Sequence, residues 1–142
     1  MEKITVTIEV EGNAFRNLDE ESMGGRRMDT YSMYARFYDE SCPDWTSDSH
    51  YNLMLLKMRQ EHANELLKSK GHLFLNDVYD LLGMPRSKAG QVVGWVYDEH
   101  NPIGDNFVDF GIYDDSNSDF VNGYTRTIVL DFNVDGYILD RI

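Results

Sequence analysis

Cysteine is almost missing from this 142-residue sequence. Cys42 stands alone, so no intramolecular disulfide can form, and a reducing compartment fits. Cations are scarce as well: 13 lysines and arginines face 25 aspartates and glutamates, for a net charge of −12. Phosphate binding needs an excess of cationic side chains, so direct nucleic-acid binding is not expected. No apolar run approaches the ~18 residues that a membrane span needs, so no membrane association is expected either. The opening residues alternate, with Ile4, Val6, Ile8 and Val10 on one face. That pattern reads as a strand, not as the continuous apolar stretch of a signal peptide. Apolar residues at 42% and aromatics at 13% suffice for a buried core. The length suits one domain spanning 1–142.

The charge that is present is unevenly placed. Ten acids and two bases lie between Val93 and Ile142, a balance of −8, whereas the first 92 residues carry −4. The middle cations are Lys57, Arg59, Lys68, Lys70, Arg86 and Lys88. The C-terminal half is therefore the acidic pole.

Residues 13–30 are polar, contain Gly24-Gly25, and read as a loop. Tyr31 to Tyr38 alternates as a strand would, although its tyrosines also fit a helical spacing. Cys42-Pro43-Asp44-Trp45 reads as a turn. A long helix is expected over about 49–69, capped by Ser47, Asp48 or Ser49 and ended by Gly71. Its apolar stripe is Tyr51, Leu55, Met58, His62 and Leu66, with Met54 and Leu67 beside it. A shorter helix is expected over 76–82, with Asn76 as cap and Gly83 and Pro85 as stops. Strands follow at 92–97, 107–113 and 124–132, the last two joined by a hairpin loop over 114–123. In the second of these, Val108, Phe110 and Ile112 point inward. Together these segments give an α+β fold, an antiparallel sheet with two helices packed on one face.

Two segments carry metal-ligand chemistry. Asp131, Asn133, Asp135 and Gly136 fit the first positions of a calcium loop, which needs alternate oxygen ligands and a glycine at the sixth position. The twelfth position, which should be a bidentate glutamate, is Ile142. Asp-Gly is equally a hairpin signal. The other segment holds Cys42, His50, His62 and His72, the residue types zinc prefers, at a spacing that matches no common zinc module. On an unbroken helix His50 and His62 would be ~18 Å apart, too far to share one ion. That leaves two half-sites for a structural zinc: Cys42 with His50, joined by Asp44 or Asp48, and His62 with Glu65 one turn on, joined by His72 after the Gly71 turn. The bland alternative is a packed His62, exposed histidines and a buried thiol.

Nucleophilic catalysis finds no motif: there is no Gly-x-Ser-x-Gly, no phosphate-binding glycine loop and no recognisable setting for Cys42. A non-enzymatic protein is therefore expected. The acidic surface is the third candidate. Asp105, Phe107 and Asp109 would share one face of a strand at ~6.8 Å spacing. Asp98, Glu99, Asp114, Asp115 and Asp119 would sit at strand ends. Such an array attracts a cationic groove and steers association, though it also serves plain solubility.

The run from Phe74 to Pro85 is followed by Gly94-Trp-Val-Tyr-Asp98, Asn101-Pro-Ile-Gly-Asp-Asn106, Phe120-Val-Asn-Gly123 and Leu130-Asp-Phe-Asn-Val-Asp-Gly136. From residue 73 onward the chain resembles an uncharacterised family of small acidic proteins carried by phages, prophages and mobile elements of Gram-positive bacteria. The resemblance implies no catalytic residues. It implies an inhibitor of host defence acting in the host bacterial cytoplasm, of the anti-CRISPR kind. Such a protein would bind the type II CRISPR effector nuclease and block DNA loading. The alternatives are a phage structural or accessory interaction domain and a metal-dependent hydrolase.

Overall fold

A computed structural model of the chain describes residues 31–142. The expected first strand at 4–10 and the loop at 13–30 lie outside these residues. Strand β1 (Arg36–Tyr38) leads through the Cys42 turn to helix α1 (Ser49–Lys70). Strand β2 (His72–Phe74), helix α2 (Leu75–Leu82), strand β3 (Val93–Val96), the short helix α3 (Ser118–Val121), strand β4 (Ile128–Leu130) and strand β5 (Gly136–Tyr137) follow.

Both long helices start and stop for local reasons. The Asp48 carboxylate accepts from the amides of His50 (2.9 Å) and Tyr51 (3.2 Å), two of the donors a helix start leaves without a partner. Lys68 and Lys70 sit in the last turn of α1, where the helix dipole favours cations. Gly71 then takes a left-handed conformation (φ 86°) and returns its amide to Leu67. Helix α2 starts one residue earlier than expected. The Asp77 carboxylate receives the Phe74 amide at 3.0 Å, and the expected cap Asn76 is buried instead.

The architecture is α+β with antiparallel pairing throughout, divided between two small sheets. β1 pairs with β4 (Phe37 opposite Val129). β3 is the centre of the other sheet, with Leu73 of β2 opposite Trp95 and Gly136 of β5 opposite Gly94. Gly94 is obligatory here: a Cβ on it would run into the backbone of Leu73. The core gathers around the buried Trp95, Tyr38, Tyr79, Phe110 and Phe120. Phe132 stacks edge-on to both Tyr79 and Phe110, with centroids at 5.7 and 5.5 Å.

Two expectations are corrected. First, the buried stripe of α1 is Asn52, Leu55, Leu56, Ala63 and Leu67. Tyr51, Met54, Met58 and His62 are exposed. The buried stripe starts one residue further along because β2 and α2 pack on that side, and Asn52, a polar residue, holds a core position. Second, residues 107–113 are not a strand, 124–132 is strand only at Ile128–Leu130, and 114–123 is short helical turns rather than a hairpin loop. The inward residues are as expected, with Val108, Phe110 and Ile112 all buried. Their backbone, however, is served largely by side chains. The Asn64 carboxamide of α1 accepts from the Val108 amide (2.7 Å) and donates to the Val108 carbonyl (3.0 Å). Gln60 accepts from the Phe110 amide at 2.8 Å.

The same device recurs. Asn52 brackets both backbone groups of Thr46, and Asn76 both of Ser87. A side-chain amide carries one donor and one acceptor group, as a peptide unit does, so it can replace one rung of a sheet ladder. Buried backbone groups left unbonded would each cost ~1–3 kcal/mol.

Candidate functional site

The candidate acidic residues lie along residues 98–119, and Asn133 holds the 105–109 part of that segment. The Asn133 side chain uses its full bonding capacity. Its oxygen accepts from Trp95 Nε1 (2.9 Å) and the Asp109 amide (2.7 Å). Its nitrogen donates to the Asp105 carboxylate (3.0 Å) and the Phe107 carbonyl (2.9 Å). Asp105, Phe107 and Asp109 are all exposed, while Val108 and Phe110 point into the core. The three outward residues therefore share a face, as the alternation implied, although no strand carries them.

Asp98 lies at the entrance to this segment. Its carboxylate accepts from the amides of His100 and Asn101, both at 3.1 Å. Asn106, in the left-handed region (φ 63°), brackets the Asp98 backbone with its own carboxamide. Glu99 accepts from the Tyr97 hydroxyl at 2.9 Å, which pushes the phenol's pKa up. Asp109 receives the Gly111 amide at 2.8 Å. Asp114, Asp115 and Asp119 are exposed around the turn leading into α3. Among the described residues, none of these seven carboxylates lies within ion-pair distance of a lysine or arginine.

Two further carboxylates sit lower. Asp131 accepts from both the amide (2.9 Å) and the hydroxyl (2.5 Å) of Ser32, 99 residues away. Burial pushes its pKa up, the Ser32 bonds oppose this, and the nearby Asp114 adds to it. Asp135 accepts from the Val96 amide at 2.9 Å and thereby extends the bonding at the end of β3. Burial raises its pKa too, Val96 opposes, and Asp105 adds to the rise. Gly104 packs so closely against Asp135 that a Cβ there would collide with the carboxylate. The three oxygen residues of the expected calcium loop are thus each turned to a separate structural bond, on Ser32, Asn133's four partners and Val96.

The zinc candidates are dispersed along the chain. Cys42 is buried with its sulfur 3.9 Å from the Phe37 carbonyl, and burial raises the thiol's pKa, so it stays protonated. His50 stands in the first turn of α1 and His62 on its exposed side, three helical turns further along. His72 opens β2 and meets the Phe74 ring edge-on at 5.5 Å. Among the described residues no group of three or more His, Cys, Asp or Glu side chains is placed to hold a metal ion. A cavity of about 60 Å³ beside Cys42, lined by Arg36, Phe37, Ser41, Gly83, Met84 and Pro85, has room for a water or two. Small-molecule sites usually run to ~300 Å³ or more.

Sequence reasoning missed Asn64 and Asn106 and read Asn133 only as an oxygen of a calcium loop. The three carboxamides shape the segment that carries Asp98, Asp105 and Asp109. The available signal was asparagine recurring inside apolar or turn-rich stretches, but nothing in the spacing says which backbone each one reaches. Among the described residues no helix is long and apolar enough to cross a membrane.

A model for a family of unknown function (DUF6353) matches residues 2–142. That match includes the first 72 residues, beyond the segment in which the sequence resemblance lay. No curated protein and no solved structure matches the chain.

Proposed function

We propose that this chain, which belongs to the DUF6353 family, is a non-enzymatic binding protein that occupies a cationic, polyanion-binding surface of a nucleic-acid-handling partner. One observation carries this: among the described residues, none of the seven carboxylates at Asp98, Glu99, Asp105, Asp109, Asp114, Asp115 and Asp119 has a lysine or arginine within ion-pair distance, although Lys57 stands over the neighbouring Tyr113 ring at 5.9 Å. Several are fixed by bonds to the backbone or to Asn133 rather than left to wave in solvent. A rigid array of uncompensated charge loses little entropy on binding a complementary groove, and it speeds encounter. Phe107 and Tyr113, exposed beside Asp109 and Asp114, add apolar contact to the same surface.

The sequence resemblance makes a type II CRISPR effector nuclease the first partner to test, with stoichiometric blockade of DNA loading as the mechanism and the host bacterial cytoplasm as the setting. In a pull-down followed by DNA-loading and cleavage assays, the protein should bind the nuclease and stop cleavage near one equivalent. The effect should weaken as salt rises. Exchanging the seven carboxylates for amides should abolish it while leaving the melting temperature nearly unchanged, because Asn and Gln retain the acceptor oxygens. Full cleavage at a large molar excess would reject this partner, and full potency of the amide variant would reject the acidic surface as the contact.

A further inference from the structure

Eight asparagines lie among the described residues, and most of their carboxamides are committed. Asn52, Asn64, Asn76, Asn106, Asn117 and Asn133 each hydrogen-bond through the side chain. Asn101 precedes Pro102, whose nitrogen carries no hydrogen. Asn122 differs from all of these. It is exposed, and its carboxamide makes no hydrogen bond among the described residues. It also precedes the exposed Gly123, in the chain's one Asn-Gly pair.

We propose that Asn122-Gly123 is a self-modification site, at which the main chain attacks the side chain before it. This goes beyond the acidic-surface function and does not depend on it. The Gly123 nitrogen gives its proton to solvent hydroxide and attacks Asn122 Cγ. A five-membered succinimide closes, the Cγ–Nδ2 bond breaks, and the nitrogen leaves as ammonia with a proton from water. Water then opens the ring at one of its two carbonyls. Opening at Cγ leaves aspartate. Opening at the main-chain carbonyl leaves an isoaspartyl link, with the chain running through the side chain. Water is the only co-reactant. Either product places a new carboxylate three residues from Asp119.

The turn itself gates the reaction. When it is closed, Asn122 has ψ 2° and the Gly123 amide donates to the Phe120 carbonyl at 3.0 Å. Attack requires that bond to break and ψ to rotate, so the reaction runs through local opening. Opening is cheap here, because helix α3 has only four residues and residues 122–127 are all exposed. Gly123 has no side chain to shield its nitrogen, and its φ of 87° suits glycine. The chain's Asp-Gly pair, Asp135-Gly136, would close the same ring but is held. The Asp135 carboxylate receives the Val96 amide, and Gly136 pairs with Gly94 in the sheet.

The full chain, incubated at mildly alkaline pH, should be followed by ion exchange and by mass spectrometry of its proteolytic peptides. An acidic form with one added negative charge should accumulate. Its peptides should carry aspartate and isoaspartate at position 122, ahead of change at any other asparagine. The rate should lie within ~10-fold of that in the urea-unfolded chain, because a frayed helix end opens readily. Asn122→Gln should remove this acidic form, since its ring would need six members, and should leave the circular-dichroism melt unchanged. Protection of more than ~10-fold on folding overturns the proposal, as the turn would then stay closed. So does earlier conversion at another asparagine, or an acidic form that persists in Asn122→Gln.

Discussion

Residues 49–82 and residues 98–135 satisfy their backbones in opposite ways. The first stretch bonds mostly to itself: α1 and α2 close their own ladders, and their ends are set by Asp48, Gly71, Asp77 and Gly83, all within a few residues of the bonds they make. The second stretch has little regular structure of its own. Backbone bonds hold it at scattered points, such as Asp131 to Phe110 and Asn133 to Asp109, and between these it relies on Asn64 and Gln60 from 44 and 50 residues away, on Asn106, and on Asn133 acting on Trp95, Asp105, Phe107 and Asp109 at once. A segment whose bonds are local tolerates loss of any one of them. A segment pinned at a few carboxamides concentrates its stability there, and those few points also shape the acidic surface.

The sharpest way to break this contrast is Asn133→Ala. It leaves the buried Trp95 indole N–H without its acceptor and breaks three further bonds, to Asp105, Phe107 and Asp109, on the exposed side. The expected cost is about 3 kcal/mol, most of it from the orphaned buried donor and the loosened segment. Chemical denaturation would measure it. A loss under 1 kcal/mol would mean that the segment is held elsewhere. Asn64→Ala comes next, at about 2 kcal/mol, since it frees the two backbone groups of one buried residue. Hydrogen exchange should show lost protection at Val108 with little change inside α2. At the local end, Asp48→Ala should cost about 1 kcal/mol, as loss of an N-cap does, with Asp48→Asn close to neutral.

The same contrast explains what was legible beforehand. The bounds of α1 are within a residue of expectation, because capping and termination are short-range chemistry. The inward set Val108, Phe110 and Ile112 was legible too, since alternation reports which face is apolar. Strand pairing at 107–113 was not, because alternation says nothing about who supplies the hydrogen bonds. Here helix side chains serve the Val108 and Phe110 amides, the backbone of residues 131 and 133 reaches only the Phe110 and Asp109 carbonyls, and Gly111 then takes a left-handed conformation (φ 75°). The stripe of α1 was misplaced by one position because Tyr51, Met54 and Met58 are as apolar as the true core residues. Only the packing of β2 and α2 decides between the two sides. At 131–135 composition shows which side chains carry oxygens but not the bonds those oxygens make, here with Ser32, Trp95, the Asp109 amide and Val96.

The smallest effect expected is also the one that tests whether the acidic segment stores strain. Asp131 and Asp135 are held above the ordinary carboxyl range by burial, each with a second carboxylate nearby. A carboxyl whose pKa is higher in the folded than in the unfolded state binds its proton more tightly when folded. The stability it contributes is therefore fully present below the unfolded value of about 3.8 and is lost as pH rises through the raised folded value. Asp80, paired with Arg86 at 2.6 Å, runs the other way. Its contribution is present above its unfolded value and falls away only in stronger acid. The melting temperature should therefore gain from Asp131 and Asp135 as the pH is lowered through their raised folded values towards 3.8, and lose from Asp80 only in stronger acid. Asp131→Asn combined with Asp135→Asn should flatten that slope while the amide oxygens keep the bonds from the Ser32 and Val96 amides, and the new side-chain NH2 at position 131 can donate to the Ser32 hydroxyl. A slope unchanged in the double variant would assign it to the general repulsion of a −12 chain, leaving these two buried carboxylates without a role in it.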